Sequence, residues 1–535
     1  MTGYDEFSTY PFGSVISPLL PARMGRALLA KTESVALVGA AARLVEVEVD
    51  VSSSGLPKFT IVGLPTKSVR EAEQRTRSAI ESSGEKWPTV RIVANLAPGA
   101  LPKDGPHFDV AIALSVLAGT ERFEARVLEG WMAVGELGLD GSVRAVRGVL
   151  AAAITCKKAG RRGIICPAVN ASEAALVDGI EVVGVASLGQ CVRFFQDEWT
   201  PEAVAATPVS VPTVAEDMRE VRGHVGAKRA AEVAAAGGHN LLLVGPPGSG
   251  KTMLARRLPG ILPAMAPDES LDVTRIHSVA GVLGERAGLI TTRPFRAPHH
   301  GISMAGLIGG GQGLARPGEV SLAHHGVLFL DELALYRADA LESLRGPVEE
   351  GHVRIARSGG AVAFPCRFSL IAAMNPCPCG YFGDSRRACR CSDRNLELYR
   401  SKISGPLLDR FDIQVAMTRL TKAELLGAQH GEPSATIRAR VESARAAQAA
   451  RYGSSTTTNA SAPKAVLEAA VSLSDAARAS LGVAIDALAI SGRGLERIMR
   501  VARTLADLEG SDGVTDEHIA EAICYRTPDD VGVAA

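Results

Sequence analysis

The residues with the clearest chemistry lie in the stretch LLLVGPPGSGKT, residues 241–252, where an apolar run leads into a glycine-rich loop. The spacing G-x-x-x-x-G-K-T is that of a loop whose backbone amides surround the phosphates of a nucleotide. Lys251 is then expected to reach the β- and γ-phosphates, and Thr252 to bind Mg²⁺. The sequence therefore predicts ATP and Mg²⁺ as cofactors, held by Gly245, Pro246, Pro247, Gly248, Ser249, Gly250, Lys251 and Thr252.

An acidic motif, GVLFLDEL at residues 326–333, follows this loop by about eighty residues. Its apolar residues predict a buried strand that ends at two carboxylates. We expect Asp331 to hold Mg²⁺ through water and Glu332 to polarise the attacking water. An isolated pair of this kind is more often an acidic helix cap, but its position behind a phosphate-binding loop favours catalysis.

Further polar residues follow along the chain. The predicted strand FSLIAAMN ends at Asn375, where a sheet would meet the nucleotide, so Asn375 is expected to orient the attacking water. The motif SGPLLDRFDI carries Arg410, and SGRGLER carries Arg493. From the residues alone, an arginine after LLD is more often a surface ion-pair partner. The adjacent His299 and His300 favour a role beside the nucleotide over a metal site.

Four cysteines are packed into CPCGYFGDSRRACRC with the spacing C-x-C-x9-C-x-C. Four thiolates this close are able to close a tetrahedral zinc site, and a glycine-containing turn gives the chain the required reach. The alternative is four free thiols in a Gly/Arg loop. The sequence favours a structural Zn²⁺ held by Cys377, Cys379, Cys389 and Cys391.

A second loop, LPKDGPHFDV at residues 101–110, is similar to the loop that carries the nucleophilic serine in Lon-type serine–lysine proteases. His107 stands where that family has its serine, and Leu150 stands where the family has its lysine. Because the mechanism needs both a hydroxyl and a partly neutral lysine, we expect no proteolysis. The resemblance instead implies an inactive Lon-like domain that serves oligomerisation or DNA contact.

The composition sets broad limits on the partners. Lysine plus arginine equal aspartate plus glutamate at 58 each, so DNA contact requires a local basic patch rather than bulk charge. Aromatic residues form only 4% of the chain, which argues against a surface that mainly stacks bases. We find no run of about 20 apolar residues, so no membrane partner is expected. The N-terminus has no basic start followed by an unbroken apolar core, so a cytoplasmic location is expected.

The chain is too long for one core. Alternating apolar patterns predict an α+β N-terminal region, a Pro/Ala-rich stretch resembles a linker, and the last residues read as helices. The polar stretch 451–464 is expected to be a loop. The predicted divisions are an N-terminal extension (1–29), an inactive Lon-protease-like domain (30–195), a linker (196–217), an α/β P-loop ATPase domain with a parallel sheet (218–418) and a helical lid (419–535).

Taken together, the motifs resemble the ComM/YifB subfamily of magnesium-chelatase-like AAA+ ATPases over roughly residues 30 to 525. RPFRAPHH, GVLFLDEL, MNPCPCG, SGPLLDRFD and VARTLADLEG add to the phosphate loop and the Lon-like region. The resemblance implies a hexameric ring that acts as a branch-migration helicase in recombination or natural transformation. It also implies that Arg410 is an arginine finger and Arg493 a second sensor, with Arg497 as the other candidate. Residues 1–23 look like an extension, whose deletion is expected to leave ATPase activity intact.

Two insertions are candidate DNA contacts. RPFRAPHHGISMAGLIGGGQGLARPGE precedes the acidic motif, and GHVRIARSGGAVAFPCRF, residues 351–368, predicts a β-hairpin. Arg354 and Arg357 near its tip are candidates for phosphate contacts, which a moving ring follows without reading bases. The alternative is that these arginines pair with acidic neighbours such as Glu349 or Glu350.

Two other function classes remain open from the sequence. A chelatase-type motor that remodels a protein for metal insertion shares the ATPase motifs, but chelatase motor subunits lack the Lon-like domain. An ATP-dependent protease is disfavoured by His107 and Leu150. Stimulation of ATP hydrolysis by forked DNA or by a partner protein separates the first two.

Overall fold

The structure is a computed structural model. It describes residues 28–52, 55–204, 216–283, 288–311, 315–357, 360–384, 386–422, 424, 431–488 and 490–526. Most of the predicted N-terminal extension and residues 205–215 of the predicted linker lie outside these ranges. We refer to residues 28–204 as the N-terminal unit and to residues 216–526 as the nucleotide-binding unit.

The N-terminal unit is built on a seven-stranded sheet in the order β3-β4-β2-β1-β5-β8-β9. Strand β2 shows why this sheet forms, since Val45, Val47 and Val49 are fully buried and alternate with more exposed residues. The strands of this unit are β1 (Leu28–Val38), β2 (Ala41–Ser52), β3 (Lys58–Val62), β4 (Arg91–Ala97), β5 (Trp131–Ala133), β6 (Glu136–Leu137), β7 (Val143–Arg144), β8 (Gly163–Pro167) and β9 (Glu181–Val185).

The helices of the N-terminal unit are α1 (Lys67–Arg70), α2 (Ala72–Ser82), α3 (Asp109–Gly119), α4 (Val149–Lys158), α5 (Ala171–Ala174) and α6 (Leu188–Phe195). Helix α3 follows the protease-like loop directly, and every one of its residues is buried. Its nearly all-apolar sequence explains this position, because a helix that is apolar on all sides is stable only inside a core.

The nucleotide-binding unit contains a five-stranded parallel sheet in the order β11-β14-β17-β10-β18. Its strands are β10 (Leu241–Val244), β11 (Phe295–Arg296), β14 (Val327–Leu330), β17 (Ser369–Met374) and β18 (Ile413–Ala416). Strands β10 and β14 are buried along their whole length, as their unbroken apolar runs require in a sheet covered on both faces. The predicted parallel sheet is therefore present.

The helices that surround this sheet are α7 (Val225–Gly237), α8 (Lys251–Arg257), α9 (Pro267–Ala280), α10 (Met304–Ile308), α11 (Glu319–Leu322), α12 (Ala338–Ser343), α13 (Arg345–Glu350), α14 (Asp393–Arg400) and α15 (Gly405–Leu408). Two antiparallel pairs project from it: β12 (Gly309–Gly310) with β13 (Arg316–Pro317), and β15 (His352–Arg357) with β16 (Gly360–Pro365). The second pair is the predicted β-hairpin.

Five C-terminal helices complete the described chain: α16 (Ser434–Tyr452), α17 (Lys464–Ala470), α18 (Asp475–Leu488), α19 (Gly492–Glu509) and α20 (Asp516–Cys524). The apolar face of α19, with Ile498, Val501 and Leu505, is buried in the same core cluster as residues of β10 and α7. No helix among the described residues is long and apolar enough to cross a membrane.

Within the polar stretch 451–464, residues 453–463 form the loop between α16 and α17, while the ends of the stretch belong to these helices. The loop is anchored inside the fold. Asn459 is fully buried and donates hydrogen bonds from its side-chain amide to Asp507 (2.8 Å) and Thr504 (3.0 Å) on α19. Composition alone did not predict this role, because these partners lie 48 and 45 residues away.

Candidate nucleotide-binding site

The glycine-rich loop joins the buried end of β10 to the start of α8, as its motif predicts. Gly245 permits a close approach, since a Cβ atom there would lie 2.2 Å from the carbonyl oxygen of Met417. Gly250 directly precedes α8 and has a φ of 85°, a conformation that glycine adopts without strain. The buried Ser249 hydroxyl has no hydrogen-bond partner within the described part of the chain. These features fit a loop that holds phosphate groups.

Lys251 lies at the centre of the loop. Its Nζ atom donates hydrogen bonds to the carbonyl oxygens of Gly245 (2.7 Å) and Pro246 (3.0 Å) and to Oδ1 of Asn375 (3.2 Å). Burial lowers the pKa of Lys251 to about 8, although the carboxylates of Asp331 and Glu332 oppose this shift. A phosphate brought to this amine would favour its charged form.

Thr252 and Asp331 meet as the two motifs predict, with the Thr252 hydroxyl donating to Oδ2 of Asp331 at 2.7 Å. A hydroxyl and a carboxylate from these two positions are oxygen ligands of the kind that Mg²⁺ prefers. The other Asp331 oxygen accepts a hydrogen bond from the backbone N–H of Glu332 at 2.9 Å. The residues present therefore fit a magnesium ion.

Glu332 differs from Asp331 because its side chain is open to solvent. It is 53% exposed, and its Oε2 atom lies 3.7 Å from Nδ1 of His300. This distance places His300 beside the acidic motif, and the His299 ring lies 4.0 Å from that of His300. Their role beside a nucleotide stays a prediction. A cleft of about 470 Å³ opens next to Glu332 and Asn375. A carboxylate that faces this cleft is placed to receive a proton from water.

Asn375 follows the end of β17 and is held from two sides. Its side chain accepts the hydrogen bond from Lys251, and its carbonyl oxygen accepts one from the Tyr399 hydroxyl at 3.1 Å. Tyr399 lies on α14 and also lines the cleft. Sequence reasoning missed Tyr399, because its contact with Asn375 spans 24 residues and a loop without a regular pattern.

Arg410 lies at the end of the sheet where β10 begins, whereas the phosphate loop follows the other end of β10. Its carbonyl oxygen accepts a hydrogen bond from the side chain of Asn240, which directly precedes β10. At the rise of a parallel strand, Asn240 is about 16 Å from Gly245. The Arg410 guanidinium lies 2.5 Å from Oε1 of Glu349 and is only 10% exposed. The structure therefore does not bring Arg410 to the phosphate loop of its own chain.

Arg493 lies in the same region as Arg410. It follows the first residue of α19, and one turn later Arg497 lies 3.7 Å from Asp412 at the start of β18. Burial lowers the pKa of Arg497, and the positive charges of Arg410 and Arg493 lower it further. Both candidate second sensors are therefore grouped with Arg410 and not with Lys251, and their role stays a prediction.

The four predicted zinc ligands converge. The Sγ atoms of Cys377, Cys379, Cys389 and Cys391 all lie within 4.8 Å of one another. Separations of 3.3 Å, 3.7 Å and 3.6 Å join the first three. A zinc tetrahedron with Zn–S bonds of about 2.3 Å has S–S edges of roughly 3.8 Å. A hydrogen bond from the Arg390 backbone lowers the pKa of Cys379 to about 6, whereas burial raises the pKa of Cys377 and of Cys391, so the case for a metal rests on the convergence of the sulfur atoms.

A second group of metal-ligand residues, Asp272, His324 and His325, also lies within 4.8 Å. These side chains already have protein partners. Asp272 pairs with Arg275 at 2.9 Å, and Nδ1 of His324 accepts the backbone N–H of Arg367 at 3.0 Å. The two arginines make this group a poor site for a cation.

The β15–β16 hairpin presents Arg354 to solvent. Arg354 does not pair with the acidic neighbours named as alternatives: its Nε atom donates to His352 at 2.9 Å, whereas Glu349 pairs with Arg410 and Glu350 with His352. Arg357 ends β15, and its side chain lies outside the described residues. The other insertion meets this hairpin, since a Cβ atom at Gly309 would lie 2.8 Å from Ile355.

In the protease-like loop of the N-terminal unit the two motif positions are buried. His107 is 6% exposed and Leu150 is fully buried. Burial lowers the pKa of His107 to about 4. Lys103, which the sequence did not single out, is also buried and donates from Nζ to the carbonyl oxygen of Pro98. The motif residues of this loop therefore belong to the core.

The glycine-rich loop, its acidic partner and the parallel sheet form a mixed α/β architecture that is consistent with an AAA+ magnesium-chelatase-like fold. Comparison with known families gives a finer assignment. Residues 217–425 match the family described as "Magnesium chelatase, subunit ChlI", residues 47–170 match "Subunit ChlI of Mg-chelatase", and residues 431–526 match "Magnesium chelatase, subunit ChlI C-terminal".

Several relatives are similar over nearly the whole chain. "Competence protein ComM" of Haemophilus influenzae is 40% identical over 93% of this chain and 97% of its own length. "Uncharacterized protein YifB" of Escherichia coli is 38% identical over 92% and 96%, and an uncharacterized protein of Mycobacterium tuberculosis is 44% identical over 93% and 98%. The chain belongs to the ComM/YifB family of magnesium-chelatase-like proteins.

Proposed function

We propose that this protein is an ATPase motor that remodels DNA, acting as a ComM-type branch-migration helicase in recombination or natural transformation. The observation that carries the ATPase part is the convergence of four predicted residues. Lys251 contacts Asn375, and Thr252 contacts Asp331, although the paired residues are 124 and 79 positions apart. Such convergence at the end of β10 supports one site for ATP and Mg²⁺.

The proposed reaction is attack of water on the γ-phosphate. Lys251 binds the phosphate oxygens, and Glu332 accepts the proton of the attacking water from its solvent-facing position. Asn375 orients that water while its side chain stays beside the Lys251 amine. Thr252 and Asp331 would hold Mg²⁺, which would supply positive charge to offset the negative charge on the phosphates.

We further propose that hydrolysis requires a neighbouring copy of the chain in a hexameric ring. Arg410 is predicted to stabilise charge on the γ-phosphate, yet it lies at the opposite edge of the sheet from its own phosphate loop. A neighbour that presents this edge to the cleft beside Glu332 would supply both Arg410 and Arg493. A monomer in the presence of ATP and DNA, or a smaller closed ring, would contradict the hexamer.

DNA is the proposed substrate. One relative that matches nearly the full chain is named a competence protein, and the exposed Arg354 on the hairpin offers a phosphate contact. The test is a branch-migration assay on a labelled four-way junction with ATP, with Lys251→Ala as control. We expect junction conversion and DNA-stimulated hydrolysis by the wild-type chain only. Hydrolysis without any response to forked or single-stranded DNA would contradict the DNA part and leave the ATPase part standing.

A chelatase-type motor is the second candidate. The observation in its favour is that "Magnesium-chelatase 67 kDa subunit" of Chlorobaculum parvum is 28% identical over 131 residues. That match covers only 24% of this chain and 18% of the relative. Stimulation of hydrolysis by a porphyrin-binding protein partner, with no response to DNA, would favour this candidate.

The N-terminal unit is proposed to be a Lon-protease-like domain without proteolytic chemistry, and the C-terminal helices the lid of the ATPase. The buried His107 and Leu150 support the first assignment, since neither reacting group of a serine–lysine protease is present at these positions. Persistent casein hydrolysis by a protease-free preparation would contradict it. With DNA as substrate, we also propose a cytoplasmic location.

A structural Zn²⁺ is proposed for the four-cysteine cluster. The sulfur–sulfur separations of the cluster match a tetrathiolate site. Because Cys377 lies two residues after Asn375, a bound metal would restrict movement of the chain beside this proposed water-orienting residue. Metal analysis of the purified chain is expected to find one zinc per chain, lost on Cys389→Ser. The matched control is Cys366→Ser, a buried cysteine outside the cluster. Absence of stoichiometric zinc in the wild-type chain would remove the assignment.

A further inference from the structure

The turn between β1 and β2 of the N-terminal unit touches the hairpin of the nucleotide-binding unit. Gly39 lies in this turn with a φ of 64°, and a Cβ atom there would lie 2.6 Å from the carbonyl oxygen of Ala363. The next residue, Ala40, is 6% exposed and belongs to the same buried apolar cluster as Val362 and Phe364 of β16. The turn is therefore packed against the hairpin backbone.

The contact of Gly39 with Ala363 lies directly across the hairpin from Arg354, the candidate DNA-contacting residue. In the β15–β16 ladder, Ala363 is the direct cross-strand partner of Arg354. A two-stranded hairpin has only marginal stability by itself, so packing against one strand strongly affects where the other strand lies. The Gly39 turn thus supports the strand that pairs with the segment carrying Arg354.

A second attachment joins the same two units at α9. The Glu173 carboxylate of the N-terminal unit is 2% exposed and accepts hydrogen bonds from the Ser278 hydroxyl of α9 and from the backbone N–H of Leu150 (2.8 Å). The backbone N–H of Gly148 donates to the Ser278 carbonyl oxygen at 3.2 Å. Leu150, at the position of the protease lysine, therefore orients through its backbone N–H the carboxylate that contacts α9.

Two attachments have a mechanical consequence that one does not. A unit attached only at α9 would be free to pivot, and a unit attached only at the hairpin would move with it. Attachment at both points fixes the distance between α9 of the ATPase core and the hairpin. Backbone atoms take part in both contacts, through the Ala363 carbonyl oxygen at the turn and the Ser278 carbonyl oxygen at α9, so we expect a stiff connection.

We infer that the N-terminal unit is a brace that holds the β15–β16 hairpin at a fixed height above the ATPase core. This gives the unit a function that needs no chemistry at His107 or Leu150. The brace transmits movement of the core to the strand pair that carries Arg354. The effect on DNA rests on the proposed function, whereas the effect on hairpin rigidity does not.

The test compares two glycines with the same backbone conformation. Gly39→Ala adds a methyl group against Ala363, whereas Gly160→Ala, at a φ of 65°, adds one where no atom lies within 4 Å. Both variants have the same left-handed strain, so their difference reports the contact alone. We expect faster backbone amide exchange in β15 and β16 of Gly39→Ala only, and a several-fold loss of DNA stimulation with unchanged affinity for ATP.

A second pair of variants covers the case in which Gly39→Ala fails to fold. Ser278→Ala removes the donor to Glu173, and Ser82→Ala removes an exposed hydroxyl that donates to the Leu139 carbonyl oxygen. We expect faster hairpin exchange in Ser278→Ala only. Equal exchange within each pair would overturn the brace. Faster exchange without any DNA response in the wild-type chain would support the brace and contradict the DNA substrate.

Discussion

Two loops of this chain resemble catalytic loops, and their surroundings differ. The loop at residues 245–252 is exposed at Pro247 and Gly248, and Glu332 of the acidic motif is 53% exposed and lines a cleft. In the loop at residues 101–110 the motif position His107 is 6% exposed, and Leu150 is fully buried. A site bordered by exposed backbone and a cleft can meet a substrate even where one side chain, such as Lys251, is buried, whereas motif positions covered by the core affect stability. Substitutions in the first region should therefore change turnover, and substitutions in the second should change folding.

The largest effect is expected from Arg410→Ala. An arginine supplied to a phosphoryl-transfer site contributes about 10³-fold or more to kcat, so hydrolysis should fall by that order. Lys251→Ala should be equally inactive in the same steady-state assay. Because Arg410 lies far from its own phosphate loop, mixing the two inactive variants should restore hydrolysis at the sites that combine an intact Lys251 with a neighbour's intact Arg410.

The mixing experiment needs one control and has a clear contrary result. The double variant Lys251→Ala/Arg410→Ala, mixed with either single variant, should restore nothing. If Arg410→Ala reduces hydrolysis but the mixture of single variants remains inactive while forming mixed rings, Arg410 acts within its own chain. That result would contradict the inference that Arg410, which lies where β10 begins, is too far from the phosphate loop of its own chain to serve it.

Glu332→Gln should follow in size. A positioned general base contributes roughly 10²-fold or more, so kcat should fall by about that factor while ATP binding is retained. The temperature of unfolding should not change, because the Glu332 side chain is 53% exposed and its contact with His300 is a distant one of 3.7 Å. Glu397→Gln, on the exposed face of α14, is the matched control in the same assays. A drop in unfolding temperature with unchanged kcat would show that Glu332 contributes to folding and not to turnover, contrary to the expected difference between the two regions.

The sequence predicted the parts of the site that depend on short motifs. We could place Lys251, Thr252 and Asp331 because each belongs to a short motif of about ten consecutive residues, in which an apolar strand leads directly into the functional residues. Tyr399 and Asn459 could not, because their contacts join segments that come together only in the folded chain. Both depend on tertiary packing that leaves no periodic pattern.

The limits are different for the arginines. The sequence motif identifies Arg410 as a candidate arginine finger. Whether Arg410 acts on the nucleotide of its own chain or of a neighbour depends on the end of the sheet at which it lies, and a linear motif does not encode that position. The N-terminal unit shows a third case. Its missing serine and lysine were visible in the sequence, whereas the contact of Gly39 with Ala363 was not, since it joins residues 324 positions apart in separate units.

In the enclosed region, His107 should make the protein sensitive to acid. Its folded-state pKa of about 4 lies below the ordinary value of 6.5, so only the unfolded chain takes up a proton between these values. Stability is therefore lost as the pH falls from 6.5 to 4, by about 3 kcal/mol in total. His107→Gln should reduce this loss in pH-dependent urea unfolding without changing kcat at pH 7.5. Identical acid profiles for both proteins would show that His107 is not buried as a neutral ring.

The smallest effect is expected from Arg354→Ala on the hairpin. Loss of one phosphate contact should weaken binding of single-stranded DNA only modestly, by a similar factor for every sequence, and reduce the salt-dependence slope by about 1. Arg77→Ala, an exposed arginine on α2 that pairs with Glu81, is the matched control from the N-terminal unit and should leave the slope unchanged. Fluorescence anisotropy over a range of salt concentrations measures both slopes. Because the brace holds Arg354 through Ala363, Gly39→Ala should lower DNA stimulation while leaving this slope closer to the wild-type value. Equal slopes for Arg354→Ala and Arg77→Ala would place the DNA path away from the hairpin.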